Sequence, residues 1–312
     1  MDLDEFFRKR MAEHKDVRSV YENIKSKLSK CDVYEKEPWT FLKLVIVGYY
    51  IGIYSNIAKK YFEKIAFFDL YAGSGINYID RLKLYLGGSA YLASNQPRRG
   101  KEFNEVILFE LDNNKCDTLR MVAPDAVVHC MDCNCSEALR IVKETMERNR
   151  HYLSFIDPEG VEEVRWNTLE NLFRLNGDIM LNYPYSAVAR VHGNYFGKLR
   201  NDVKEKFEIL LNQFFGNDDW KKIQPNRQGD QLLALFVSQL KQFYSTIEVI
   251  KLGQERGGFK FHLILGTKSS SAPWFIAIRD LKTKISQVTF TDLERFADIF
   301  RGEQEQLTEY FE

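Results

Sequence analysis

The 312-residue sequence has no excess of charge of either sign: 44 Lys and Arg stand against 44 Asp and Glu. That balance excludes a protein coated in cations, though not a local basic patch of the kind nucleic-acid enzymes carry on a neutral body. Cysteine is scarce and odd in number, at 5, with 4 of them between Cys116 and Cys135. No signal-peptide pattern opens the chain, since MDLDEFFRKR is charged from its second residue. The expectation is a cytoplasmic protein with reduced thiols. The longest uncharged run, LVIVGYYIGIYSNIA from Leu44 to Ala58, is shorter than the roughly 20 apolar residues that a membrane span needs. It also holds Ser55 and Asn56 and is bounded by Lys43 and by Lys59-Lys60. It reads as a buried helix, with no membrane contact. Internal repeats and low-complexity tracts are absent.

Several chemistries are missing as well. No Gly-Lys-Ser/Thr follows the glycine turn, which argues against a phosphate-binding loop, and the third glycine of a dinucleotide fingerprint is absent. There is no G-x-S-x-G hydrolase elbow. His129, Cys130, Cys133 and Cys135 crowd together in HCMDCNC. A closed zinc site needs four convergent ligands, a second ligand pair is lacking, and neighbours on a strand point to opposite faces. No metal is expected.

What is present begins with a helical region over residues 1–62. LDEFFRKRMAEHK and VRSVYENIKSKL space apolar residues three and four apart. Pro38 suits the first turn of a longer helix carrying Trp39, Leu42, Ile46, Tyr49, Ile53 and Ile57. Over 63–190 the apolar runs IAFFDLY, EVILFELD, AVVHCMD, YLSFIDPEG and DIMLNYPY alternate with the helix candidates GSAYLASN, NKCDTLRMV, SEALRIVKETMERN and WNTLENLFRL. Such alternation predicts a doubly wound parallel α/β sheet buried on both faces. A helical insert follows over 191–224. Residues 225–312 complete the core with a helix in QGDQLLALFVSQLKQFY, the strands IEVIKLG and FKFHLILGTK joined by QERGG, and two closing helices. One of these starts at Ser271-Ala272-Pro273, the other at Thr291, where Thr-Asp-Leu-Glu has capping-box spacing.

Five alternating strands followed by a terminal antiparallel hairpin resemble the layout of class I S-adenosylmethionine-dependent methyltransferases, a Rossmann-like sheet whose last strand inserts antiparallel. In doubly wound sheets, ligands sit beyond the carboxyl ends of the strands, at the switch point. Here the first strand ends in Asp69-Leu70-Tyr71, and Ala72-Gly73-Ser74-Gly75 follows. A turn of small residues lets backbone approach a ligand closely. The candidate cofactor-binding residues are Asp69, Tyr71, Gly73 and Gly75. Glu110 at the second strand's tip joins them as a partner for ribose hydroxyls. Asp132 at the third can accept from an adenine amino group, with Cys133 beside it. Singly, each has a plain alternative: a tight turn without a ligand, or a solvated loop carboxylate. Together they point to S-adenosylmethionine as the cofactor.

The fourth strand ends in FIDPEG, Phe155 to Gly160. In methyltransferases that modify amino groups of bases, a D/N-P-P-Y/F motif occupies this place. An aromatic amine is a poor nucleophile because its lone pair is delocalised. Oxygens that accept its hydrogens favour the geometry in which that lone pair can attack. Asp157 and the Pro158 carbonyl are the candidate catalytic groups. Glu159 stands where the motif has a second proline, and Gly160 where an aromatic would stack on the base. The alternatives for Asp157 are a helix cap and a contact with the cofactor's methionine end. Asn182-Tyr183-Pro184-Tyr185 ends the fifth strand, so Asn182, Tyr185 and Glu159 are candidate substrate-binding residues. Arg190 is a candidate for a phosphate or simply a surface arginine. Arg98, Arg99 and Lys101, Arg148 and Arg150, and Lys198 and Arg200 form further basic spots. The Pro-Cys that a cytosine-C5 methyltransferase needs after this strand is absent.

IAFFDLYAGSG, LGGSAYLAS, ILFELD, MDCN, SFIDPEGVEEVRWNTLENL and DIMLNYPYSAVAR follow one another in order. This order resembles the three-Cys-motif partner family over about Pro38 to Arg190, and more loosely on to Ala277. Tyr71 stands for the family's usual phenylalanine and Met131 for the glycine before Asp132. The resemblance implies a class I methyltransferase-like fold; the family's name comes from a neighbouring protein with three cysteines, and a protein partner is a further expectation. The expected function is an S-adenosylmethionine-dependent methyltransferase acting on RNA or DNA at an amino group. The rival is a non-catalytic, cofactor-binding subunit of a second protein.

Overall fold

The apolar run Ile65–Asp69 forms strand β1, buried along its whole length at the centre of a seven-stranded sheet. The structure is a computed structural model; it describes residues 17–28, 31, 33, 35–95, 100–225, 228–252, 261–271, 273–285 and 288–301. The remaining large strands are β4 (Glu105–Glu110), β5 (Val127–Cys130), β6 (His151–Ile156), β7 (Gly177–Tyr183), β8 (Thr246–Leu252) and β9 (Phe261–Thr267). Their order is β5-β4-β1-β6-β7-β9-β8. The first five run parallel, and β9 lies antiparallel between β7 and β8. This is the class I methyltransferase-like α/β fold that the run of strands predicts.

Alternation across the pleat builds both cores. Ile65, Phe67, Leu153 and Phe155 face one side, where α2 (Trp39–Ala58), α3 (Ser89–Asn95), α10 (Pro273–Ile285) and α11 (Phe290–Arg301) pack. Ala66, Phe68, Tyr152 and Ile156 face the other, covered by α5 (Ser136–Arg148), α6 (Trp166–Phe173), α7 (Tyr185–Phe196), α8 (Asn201–Phe215) and α9 (Gln228–Leu240). Helix α4 (Asn113–Val122) joins β4 to β5, and α1 (Arg18–Lys25) precedes α2. Helix α2 is long and apolar enough to cross a membrane by length and composition, yet its middle is core: Tyr50, Ile51 and Tyr54 are fully buried against the sheet.

Four features differ from the sequence reading. A small antiparallel hairpin, β2 (Ile76–Ile79) and β3 (Leu84–Gly87), stands between β1 and α3, where no strand was expected. The helical insert begins at Tyr185 rather than at residue 191. The last helix is capped by Thr289, not Thr291: the Thr289 N–H donates to Asp292 Oδ2 at 2.8 Å, and the Asp292 N–H to Thr289 Oγ1 at 3.3 Å. Cys116 on α4 and Cys130 on β5 are joined in a disulfide, with Cα atoms 6.1 Å apart, against the expectation of reduced thiols throughout. The expected helix over residues 3–15 and the turn QERGG lie outside the described residues, as do Arg98 and Arg99.

A buried polar network closes the amino end of the sheet. Tyr54 on α2 shares a 2.5 Å hydrogen bond with His151 Nδ1, and Trp274 Nε1 donates to Asp178 Oδ2 at 2.8 Å. Replacing Trp274 by Phe leaves that buried acceptor without its donor. Such a loss costs about 1–3 kcal/mol. Equilibrium denaturation of Trp274→Phe at fixed pH is expected to show this loss, whereas an unchanged midpoint would mean that the bond contributes nothing.

Candidate active site

The register of the parallel strands decides which side chains meet. Asp69 lies opposite both Leu108 and Phe155, and Phe155 opposite Met180. Two residues further on, Tyr71 and Glu110 therefore stand at one level, and Asp157 and Asn182 stand side by side. These tips border a cavity of about 610 Å³ beyond the carboxyl ends of the strands, within the usual size of a small-molecule site. The sheet order reverses between β1 and β6, so this is the switch point of the fold.

One half of the cavity is built from backbone and carboxylates. Gly73 has φ +62°, and a Cβ added there would meet nothing within 4 Å. The loop thus presents bare backbone to the space. Gly75, at φ +76°, serves packing instead. A Cβ there would come 2.9 Å from Val122 Cγ1, so its absence lets the loop lie against α4. Glu110 is fixed by two backbone donors, the Gly73 N–H at 2.9 Å and the Asp112 N–H at 2.8 Å. A carboxylate offers about four lone-pair sites, so Glu110 retains capacity for two hydroxyls. Asp112 caps α4 instead, accepting from the Asn114 N–H at 2.8 Å. Asp132 accepts from the backbone and the side-chain amide of Asn134, at 2.8 and 2.9 Å. Asn134 Nδ2 and the Tyr71 hydroxyl both donate to the Glu163 carbonyl at 2.9 Å, tying the loops after β1, β5 and β6 together. Cys133 lines the same wall, its thiol pushed up to about 12 chiefly by burial.

Asp69 does not border the cavity. It is fully buried beneath the loop, where it accepts from the Tyr71 N–H at 3.1 Å and from the Ser89 hydroxyl. Burial raises its carboxyl to about 7 against the opposing pull of those two hydrogen bonds.

The other half is centred on Asp157. Lys43 Nζ donates to Asp157 Oδ2 at 2.6 Å, and Asn182 Nδ2 donates to Asp157 Oδ1 at 2.6 Å. Asp157 is not a helix cap: the short helical turn Val161–Glu163 has Gly160 at its cap position and no side-chain cap. Pro158 and Glu159 line the cavity, and Glu159 pairs with Lys36 at 3.2 Å. Glu163 borders the space too, its carboxyl raised by burial and by the nearby charges of Glu159 and Glu162. Tyr185 and Arg190 are not part of the lining. Past Pro184 the chain turns into α7, where Tyr185 packs on His262 with ring centres 4.5 Å apart and Arg190 is exposed.

The sequence reading missed Lys43, Lys36 and Leu111. The first two reach the site because residues 35 and 36 pair with the hairpin. The Lys36 N–H donates to the Tyr78 carbonyl at 2.8 Å, and that contact aims the start of α2 across the cavity. A signal was present: Lys43 is the one charged residue in the 20 residues of α2. Leu111, 70% exposed although apolar, lies on the cavity wall next to Glu110. Two residues of the basic spots are engaged elsewhere, Arg148 pairing with Glu105 at 2.7 Å and Arg200 with Asp202 at 2.6 Å. Among the described residues no group of three His, Cys, Asp or Glu gathers as for a metal ion.

No protein-family model matches this chain, and no curated protein sequence matches it. Solved structures do show similarity. A DUF519 family protein from Legionella pneumophila aligns at 14% identity over 77% of this chain and 92% of that one, TM-score 0.43. An rRNA methylase from Streptococcus thermophilus aligns at 10% identity over 76% of this chain and 100% of that one, TM-score 0.34. The plantazolicin methyltransferase BpumL, in complex with SAH, aligns at 10% identity over 86% and 99%, TM-score 0.37. The fold of the present chain stands on its own strand order and register.

The buried Asp69 makes stability depend on pH. Between the ordinary carboxylate value of about 3.9 and its folded value of about 7, the folded protein holds a proton that the unfolded chain has released. This contribution therefore falls as pH rises through that window and is fully lost above about 7, by roughly 4 kcal/mol at most. Asp69→Asn lacks the titrating proton. The stability of wild type relative to this variant is expected to decrease from pH 5 to pH 8 when both are unfolded by denaturant. A constant difference would place the proton elsewhere.

Proposed function

We propose that this protein is an S-adenosylmethionine-dependent methyltransferase that acts on an amino group, with a nucleic acid as the acceptor. The observation that carries the reading is the pairing, in one cavity, of a bare glycine backbone and two fixed carboxylates with an Asp157–Asn182 pair on the facing strands. The cofactor half fits the group. Gly73 leaves open the space that a Cβ would fill, Glu110 is oriented to accept from ribose hydroxyls, and Asp132 has its second oxygen left to accept from an adenine amino group. Leu111 offers an apolar surface to a ring. When bound there, S-adenosylmethionine supplies a methyl group activated on a sulfonium.

The chain's own part in transfer is to orient the acceptor. Asp157 keeps lone pairs beyond those used by Lys43 and Asn182. Asn182 Oδ1 is buried and has no hydrogen-bond partner among the described residues. An exocyclic NH2 carries two N–H donors, which match these two acceptors. Accepting both hydrogens holds the amine in place and draws its lone pair out of conjugation. The proton released from the amine passes to Asp157 or to water. The order of motifs supports placing the chain in the three-Cys-motif partner family, with a protein partner and a cytoplasmic location as parts of the same reading. The contact that each Asp157 oxygen already makes within the protein favours a second reading, a cofactor-binding subunit that performs no transfer alone.

Titration calorimetry with S-adenosylmethionine and labelled-methyl transfer to total RNA and DNA test the proposal. Gly73→Val is expected to weaken cofactor binding at least ~10-fold, because its side chain fills the approach surface and strains the left-handed backbone of the loop. Asp157→Ala is expected to bind cofactor as wild type does and to lose about 10²-fold or more of transfer. Cofactor binding with no transfer by wild type would support the subunit reading, and no binding at all would end both.

A further inference from the structure

The half of the cavity that faces the acceptor is made by an element outside the Rossmann-like core. Lys43 projects from an otherwise uncharged helix and meets Asp157 at 2.6 Å, with side chains only 12% and 22% exposed. A cation held there must do more than pack. An acceptor nitrogen hydrogen-bonded to Asp157 shares that carboxylate with Lys43 Nζ, so the two nitrogens sit within a few ångströms of each other. At such separations, in a partly buried site, two positive charges repel strongly. An uncharged amine meets no such opposition. It can donate one N–H to Asp157 and the other to the unpartnered Asn182 Oδ1.

We propose that Lys43 is a positioning and specificity-determining residue: by neutralising Asp157 it tunes the acceptor seat to an uncharged aromatic amine, as on a nucleobase, and excludes a protonated alkylamine. This deepens the methyl-transfer reading and rests on it. Glu35, Glu162 and Glu163 line the same cavity together with Lys36, Lys115 and Arg165, so the discrimination falls to the charge that contacts Asp157 itself. With Lys43 removed, the cation in contact with Asp157 is gone, and the preference should reverse.

The test reads binding as well as turnover. Wild type, Lys43→Met and Lys43→Arg are saturated with S-adenosylhomocysteine and titrated calorimetrically with adenosine, with cytidine, and with Nα-acetyl-lysine amide, whose side-chain amine is protonated at neutral pH. Wild type is expected to bind a nucleoside at least ~10-fold more tightly than the lysine amide. Lys43→Met is expected to invert that order, and Lys43→Arg to restore it. Labelled-methyl transfer to RNA and to a lysine-rich peptide should follow the same order. A wild type that prefers the lysine amide or binds none of the three probes, or a Lys43→Met protein that keeps the wild-type order, would overturn the proposal. If Lys43→Met does not fold, the wild-type order and the Lys43→Arg result still decide. Failure to bind S-adenosylhomocysteine would instead overturn the methyl-transfer reading, so the two failures are told apart.

Discussion

Because strands of a parallel sheet advance together and side chains alternate along each, two residues past the last paired residue is the same height on every strand. That constraint governs this molecule. The pairing of Asp69 with Leu108 and Phe155, and of Phe155 with Met180, brings Tyr71, Glu110, Asp157 and Asn182 to one rim. Slipping any of these strands by one residue would turn its functional side chain to the opposite face of the sheet. The apolar residues that alternate with them, Phe67 and Phe68 or Phe155 and Ile156, fix the register by filling two separate cores. Chemistry at the rim is thus specified by packing below it.

Two buried polar arrangements hold the ends of that sheet. At the carboxyl end, Asp69 sits under the glycine loop and receives the Tyr71 N–H and the Ser89 hydroxyl, linking β1 to the start of α3. At the amino end, Asp178 receives Trp274 Nε1, which ties β7 to α10. A buried carboxylate is costly unless it is hydrogen-bonded, and both have donors. Burial nonetheless raises both carboxyls to about 7, which makes each more readily protonated than a surface acid. Asp69 therefore serves the loop that would carry a cofactor without touching the cavity itself.

Most of the sheet was legible in the sequence because buried parallel strands are nearly continuous apolar runs, and IAFFD, EVILFE and HYLSFI are predominantly apolar. The β2–β3 hairpin was not, since INYI and LYLG are short, mix tyrosine with polar residues and flank the charged turn at Asp80. In the site, residues at strand tips could be read one strand at a time, and Glu110, Asp132, Asp157 and Asn182 all reach the cavity. Tyr185 and Arg190 do not, because a helix begins immediately after Pro184 and carries them away along α7. Lys43 was hidden for a different reason. Its partner lies 114 positions away, and a charge beside an apolar run reads as a boundary, not as a functional group.

The placement of Lys43 bears on how the fold carries specificity. Helix α2 is core along most of its length, and a lysine at its fifth position gains nothing from such surroundings unless its charge is met. Asp157 meets it, while Asn182 donates to the carboxylate's other oxygen from the neighbouring strand. The pair is geometrically dependent on the hairpin, because the contact of Lys36 with Tyr78 sets where α2 begins. An element with no counterpart among the alternating strands and helices thereby reaches Asp157 inside the cavity. The sheet sets where the strand tips meet, and the helix laid across it sets which charge lies beside Asp157.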